Sequence, residues 1–60
     1  MNIGLDIMGG DNAPDATIRG AILAYEDIPS TDRLFLFGDE EIIRTGLQKE
    51  GADQDNFEII

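Results

Sequence analysis

The sequence predicts an α/β fold in which three strands and two helices alternate in the order β-α-β-α-β. Short apolar runs alternate with segments whose apolar residues recur at helical spacing, and glycine or proline lies between them. Strands that alternate with helices form parallel sheets with right-handed crossovers. The 60 residues therefore predict a parallel-sheet half-unit of a larger fold.

The first strand is predicted from about Asn2 to Ile7, where apolar residues alternate with small or polar ones. Gly9 and Gly10 then predict a turn. A helix is expected from about Pro14 to Asp27, with proline at its first position. Its apolar stripe should lie on the sheet and comprises Ile18, Ala21, Ile22, Tyr25 and Ile28.

The second strand is predicted at Leu34 to Phe37, where four consecutive apolar residues indicate burial on both faces. Asp39 is expected to cap a second helix, and Gly51 is placed to end it. A third strand begins at Phe57. If the strands lie in sequential order, both helices cover one face, and the other face needs a cover. Residues 1–60 are therefore interpreted as the amino-terminal part of a single α/β domain whose remainder is not in this chain.

Composition excludes several functions for this segment. Thirteen acidic and four basic residues give a net charge of −9, which argues against binding to nucleic acid or to an anionic membrane surface. No basic leader or long apolar run is present, so a cytoplasmic protein is expected. The chain has no Cys or His, so neither a disulfide nor a typical zinc site is expected.

The stretch Met8 to Ala13, called the glycine turn below, is the candidate binding site. Ligands of open parallel sheets bind at the carboxyl ends of the strands, where the glycine turn and Gly38 to Glu41 should face one crevice. Gly9 and Gly10 allow close backbone approach, and the following helix directs unpaired N–H groups toward the turn. Phosphate would fit such a site.

Structural alternatives remain open for the same residues. The glycines can serve only to form a tight turn, with Asp11 or Asn12 capping the helix. Asp6 can bind a metal, act as a base, or hold the loop by accepting hydrogen bonds from its N–H groups. The loop-holding role is favoured. Asp39 is interpreted as a helix cap rather than a catalytic group.

Most known phosphate and catalytic motifs are absent. The sequence contains neither the dinucleotide-binding pattern G-x-G-x-x-G after its first strand nor a Walker A lysine. A nucleophilic triad cannot be assembled without His or Cys. The segment GLDIMGG is superficially similar to the first phosphate loop of sugar kinases and actin-like ATPases. That loop lies in a β-hairpin, whereas a helix is predicted here.

The segment DIMGGDNAP, beginning at Asp6, resembles the amino-terminal signature D-x-M-G-G-D-x-A-P of the bacterial phosphate acyltransferases of phospholipid synthesis, the PlsX family. LFGDE, from Leu36 to Glu40, resembles the turn after the second strand of that family. The resemblance spans all 60 residues but only the first part of a family member. It implies a Rossmann-like three-layer fold, a homodimer, and a cytoplasmic enzyme peripherally associated with the membrane.

The resemblance also implies a reaction. Inorganic phosphate attacks the thioester of an acyl-acyl carrier protein, giving acyl phosphate and free carrier protein. Phosphate is itself the nucleophile, so no covalent intermediate, cofactor or metal is required, and no catalytic residue is assigned. The acidic carrier protein should dock outside this acidic segment, which alone should be inactive.

Substrate-binding roles carry over to part of the glycine turn and to Asp6, two residues before it. The second turn, Gly38 to Glu41, supports the loop. The binding residues are Asp6, Gly9, Gly10, Asp11 and Asn12, and the supporting residues are Gly38 and Asp39. Asp6 and Asp11 would fix the loop. Many family members have His where Asn12 stands, and Asn cannot shuttle a proton at neutral pH. Arg19 is a weak candidate for a phosphate-binding cation, so the cations are expected beyond residue 60.

Two further hypotheses stay open. The first is a phosphate- or nucleotide-binding α/β enzyme that catalyses another reaction. The second is a non-catalytic α/β module or fragment in which the glycine turn is purely structural.

Overall fold

A computed structural model describes all 60 residues and confirms the predicted α/β class. The elements in chain order are β1 (Asn2–Asp6), α1 (Asp15–Asp27), β2 (Arg33–Phe37), α2 (Glu40–Lys49) and β3 (Glu58–Ile59). A short 3-10 turn, Gln54–Asn56, precedes β3. Neither helix has the length and apolar character needed to cross a membrane.

The three strands form one parallel sheet in the order β1-β2-β3, so neighbours in sequence are neighbours in space. Asn2 lies opposite Arg33, and this register continues to Asp6 opposite Phe37. Pairing extends one residue further, because the N–H of Ile7 donates to the carbonyl of Phe37 at 3.0 Å. The carboxyl ends of β1 and β2 therefore lie side by side.

The core lies between the sheet and the two helices, which cover the same face of the sheet. Ile18 and Ala21 of α1 and Ile43 and Leu47 of α2 are fully buried together with the strand residues of that face. The buried sheet residues are Ile7, Leu34 and Leu36, and Phe57 closes the cluster. Right-handed crossovers between sequential strands require this one-sided arrangement, as the sequence predicts.

The opposite face of β2 is open in this chain. Phe37 is 45% exposed, and Phe35 is half-buried. The ring of Phe37 lies over Gly4 of β1, where an added Cβ would be only 2.8 Å from ring atom Cε2. The second face of β2 therefore has no cover within these 60 residues, as predicted for two helices on one face, and its burial in the complete fold stays a prediction.

The helix ends differ in how they are capped. Helix α1 begins at Asp15, and Pro14 occupies the capping position just before it rather than the first helical position. Proline offers no side-chain acceptor, and the alternative in which Asp11 or Asn12 caps the helix is wrong, because α1 has no side-chain cap. At the end of α2, the N–H of Gly51 donates to the carbonyl of Gln48 at 3.0 Å, and Gly51 ends the helix as predicted.

Candidate functional site

The glycine turn connects the carboxyl end of β1 to the amino terminus of α1. No hairpin follows Ile7, and the helix predicted from the sequence is present. A phosphate loop of the β-hairpin type is therefore excluded for this segment. The turn lies at the sheet edge where open parallel sheets bind their ligands.

Asp6 holds the beginning of the glycine turn. Its Oδ1 accepts the N–H of Met8 at 3.1 Å. The backbone of Gly9 passes so close to the same carboxylate that an added Cβ would lie 2.8 Å from Asp6 Oδ2. Both contacts agree with the favoured interpretation of Asp6 as the residue that holds the loop, and a small residue is required at position 9.

The next four backbone N–H groups have no partner within the chain. Gly9, Gly10, Asp11 and Asn12 donate no hydrogen bond, and three of these residues are exposed. The turn closes through a long contact of 3.5 Å from the N–H of Ala13 to the carbonyl of Gly10. These four N–H groups lie in the turn before α1 and are free to donate to an anion. In the first turn of α1 itself, the N–H groups of Ala16 and Ile18 already donate to the carbonyls of Asn12 and Pro14 at 3.0 and 2.9 Å.

Gly10 sets the direction of this row of N–H groups. Its φ is +93°, a backbone conformation that residues with a Cβ rarely adopt. No atom lies within 4 Å of the position where a Cβ would be placed. The requirement for glycine at this position is therefore conformational and not a matter of space.

Thr17, in the first turn of α1, is a part of the site that sequence reasoning missed. Its hydroxyl oxygen lies 2.9 Å from the carbonyl oxygen of Pro14 and within hydrogen-bond reach of the carbonyl of Ile7, and its one proton can be donated to either. Threonine commonly bonds a carbonyl three residues earlier, so the Pro14 contact follows a known local pattern. The contact with Ile7 depends on the path of the whole turn, and no local pattern predicts it.

The second turn lies against the first, as the sequence predicts. The side chain of Met8 approaches Gly38 so closely that a Cβ there would be 2.7 Å from Met8 Cγ. Asp39 caps α2 by accepting the N–H of Ile42 at 3.0 Å, which confirms its predicted structural role. The supporting loop thus meets the glycine turn through an apolar side chain.

The predicted crevice takes a different form. A surface groove runs between the first turn of α1 and the length of α2, and Pro14, Asp15, Asp39 and Lys49 are among its lining residues. Gly9, Gly10 and Asp11 do not line it. The side chain of Met8 lies against Gly38 between the two turns, and Gly10, Asp11 and Asn12 are exposed outside the groove.

Carboxylates dominate the electrostatics at this edge. Asp11 accepts no hydrogen bond within the chain, so the expectation that it fixes the loop is not confirmed. Arg19 lies 4.0 Å from Glu50 across the two helices and is not held at the turn. Of the four basic residues, only Lys49 has no carboxylate within ion-pair distance. The turn thus supplies N–H donors, while balancing cations must come largely from elsewhere.

Replacing Asp39 by alanine is expected to lower the free energy of unfolding by about 1 kcal/mol, because the cap of α2 is lost. Asparagine at the same position should retain most of the stability, since its side-chain oxygen can accept the N–H of Ile42. Chemical denaturation of the full-length chain measures both changes. Equal losses in the two variants would show that the charge, not the cap, is what matters.

Comparison with known proteins places these motifs in a family. The model of the family described as "Fatty acid synthesis protein" matches residues 1–60, the whole chain. The chain belongs to this family. Its glycine turn and second turn are therefore family segments, in agreement with the resemblance drawn from DIMGGDNAP and LFGDE.

Curated relatives of this fatty acid synthesis family member carry the name phosphate acyltransferase. One from Akkermansia muciniphila is 42% identical over 60 residues, covering 100% of this chain and 17% of the relative. One from Rhodospirillum centenum is 55% identical over 50 residues, covering 83% of this chain and 14% of the relative. A third, from Caldicellulosiruptor bescii, is 42% identical over 60 residues, covering 100% of this chain and 18% of the relative. The chain thus spans less than a fifth of these relatives.

Proposed function

We propose that the full-length protein is a phosphate acyltransferase that transfers a fatty acyl group from acyl carrier protein to inorganic phosphate. The names of the relatives and the family support the transfer of an acyl group to phosphate. The acyl carrier protein donor follows from the resemblance of the glycine turn. The product would be an acyl phosphate for phospholipid synthesis.

The observation that carries the proposal is the row of four unpaired N–H groups from Gly9 to Asn12 in the turn that precedes α1. An oxyanion can accept hydrogen bonds from several of these N–H groups, and no side chain of this segment has to gain or lose a proton. Fixed backbone donors of this kind stabilise charge with little reorganisation during the reaction. The site would therefore bind phosphate, the oxyanion of the acyl carbonyl, or both in succession.

The proposed chemistry balances without a cofactor. A phosphate oxygen forms a bond to the thioester carbonyl carbon, and the C–S bond breaks when the tetrahedral intermediate collapses. The carrier thiolate leaves and is protonated, and acyl phosphate remains. The protein must hold the phosphate oxygen close to the carbonyl carbon, and such positioning accounts for a large part of the rate enhancement in reactions of two substrates.

The proposal is tested with purified full-length protein and an acyl-acyl carrier protein. Release of the carrier thiol should require inorganic phosphate, saturate with its concentration, and yield one acyl phosphate per thiol. Sulfate, a tetrahedral anion that is a poor nucleophile, should inhibit without supporting release. Thiol release that is independent of phosphate would overturn the proposal.

The same assay separates the two alternatives. An enzyme of another reaction class would leave the thioester intact while still being stabilised against heat by phosphate or a nucleotide. A non-catalytic module would show neither thiol release nor stabilisation. Acidic residues outnumber basic ones in this segment by thirteen to four, so we place the docking surface for the acidic carrier protein outside it.

We also propose that the remainder of the α/β domain covers the open face of the sheet. Phe35 and Phe37 are apolar residues on the face that no helix of this chain covers. Parallel sheets normally carry helices on both faces. The relatives are more than five times as long as this chain, so their sequences contain ample chain for a second layer.

Phe37→Ala should lower the free energy of unfolding of the full-length chain by about 3 kcal/mol if this face is covered. Leu23→Ala is the matched control, because Leu23 is 64% exposed on α1. Its loss should change stability by less than about 0.5 kcal/mol. Equal small effects of the two substitutions, measured by denaturant unfolding, would show that the face stays in contact with water.

A further inference from the structure

Thr17 links the two residues that flank the glycine turn. Its single hydroxyl lies within hydrogen-bond reach of the carbonyls of Ile7 and Pro14, the two residues that flank the turn. The six residues between them make three other hydrogen bonds: the N–H of Met8 donates to Asp6 at 3.1 Å, the N–H of Ala13 to the carbonyl of Gly10 at 3.5 Å, and the N–H of Ala16 in α1 to the carbonyl of Asn12 at 3.0 Å. Thr17 is thus the only side chain that reaches the carbonyls on both sides of the turn.

The two carbonyls differ in how far they depend on Thr17. The carbonyl of Pro14 also accepts the N–H of Ile18 at 2.9 Å, within the first turn of α1. The carbonyl of Ile7 accepts from Thr17 and from no other group in the chain. Ile7 is fully buried, so without the hydroxyl its carbonyl would have to move to find another donor. Such a movement would displace the start of the glycine turn.

We infer that Thr17 is a positioning residue for phosphate, which acts by fixing where the turn leaves β1 and where it enters α1. The inference rests on the proposed function, since it assigns Thr17 to the same row of N–H groups. Thr17 itself is not required to touch the substrate. Its hydroxyl determines the backbone geometry that presents those N–H groups, whereas its methyl group serves only packing.

The test compares kinetic constants of full-length Thr17→Val, Thr17→Ser and wild-type protein in the phosphate-dependent thiol-release assay. Valine keeps the shape and removes the hydroxyl, so kcat/KM for phosphate should fall about tenfold, the equivalent of one hydrogen bond. Serine restores the hydroxyl and should recover most of this loss. The KM for the acyl-acyl carrier protein should stay unchanged. Thr31→Val is the control, because Thr31 is exposed between α1 and β2.

The possible outcomes separate this inference from the function on which it rests. Wild-type protein without phosphate-dependent release overturns both. If wild-type activity depends on phosphate but Thr17→Val and Thr31→Val have equal kcat/KM for phosphate, only the role of Thr17 is overturned. The same conclusion follows if Thr17→Ser is as impaired as Thr17→Val. If Thr17→Val does not fold, Thr17→Ala takes its place, and the amide NMR shifts of Gly9 to Asn12 must then differ from wild type. Unchanged shifts would contradict the inference.

Discussion

Gly10→Ala is expected to lower kcat/KM for phosphate by roughly fivefold to thirtyfold. A residue with a Cβ at φ near +93° costs about 1 to 2 kcal/mol, and relief of that cost requires the peptide planes on either side to rotate. Such a rotation would redirect the unpaired N–H groups that we propose bind phosphate. Because no atom lies within 4 Å of the added methyl group, steric collision is not the cause.

Gly51→Ala provides a matched control for this substitution. Gly51 has φ +75°, also has no atom within 4 Å of an added Cβ, and lies after the carboxyl end of α2. Both variants should lose about 1 to 2 kcal/mol of stability, but only Gly10→Ala should lose activity with phosphate. Steady-state kinetics and thermal unfolding are measured on both. Equal kinetic losses would show that the effect is one of stability alone.

Replacing Asp6 by alanine and by asparagine should distinguish a role in holding the loop from a role as a catalytic base. Alanine removes the acceptor of the Met8 N–H and should lower kcat/KM for phosphate by a factor on the order of ten. Asparagine keeps an oxygen acceptor in the same place and removes one negative charge near the phosphate. We therefore expect its KM for phosphate to be no higher than that of wild type.

The measurement for Asp6 is the pair of kinetic constants with phosphate as the varied substrate. A base would be lost equally in both variants, because the asparagine amide cannot accept a proton at neutral pH. If Asp6→Asn lowers kcat/KM for phosphate as much as Asp6→Ala does, the loop-holding role is contradicted. Asparagine close to wild type would remove Asp6 from the candidates for general base.

The order and type of the elements can be predicted because periodicity and chain breakers act locally. Ile18 and Ala21 recur at helical spacing and are buried, and Pro29 follows the end of α1. Asp39 is identifiable as a cap because an aspartate before two glutamates is a local signal for a helix amino terminus. The predicted and observed boundaries differ by about one residue, as at Ile7.

The details of the candidate site can be predicted only in part. Gly9 and Gly10 mark the turn, but the absence of a side-chain cap on α1 depends on where the chain places Asp11 and Asn12. The hydroxyl of Thr17 reaches a carbonyl ten residues away, a contact determined by tertiary structure. Four consecutive apolar residues in β2 predict burial of both faces in the complete fold, but they do not show which part of the chain provides the cover.

Binding of phosphate to the N–H groups of Gly9 to Asn12 is the central claim, and amide NMR tests it directly. Nitrogen-15-labelled full-length protein is titrated with inorganic phosphate at constant ionic strength, with chloride as the control anion. We predict saturable shifts concentrated at these four residues, reduced in Gly10→Ala and retained in Gly51→Ala. Saturable shifts located elsewhere, or none at these residues, would contradict the assignment of the glycine turn as the phosphate site.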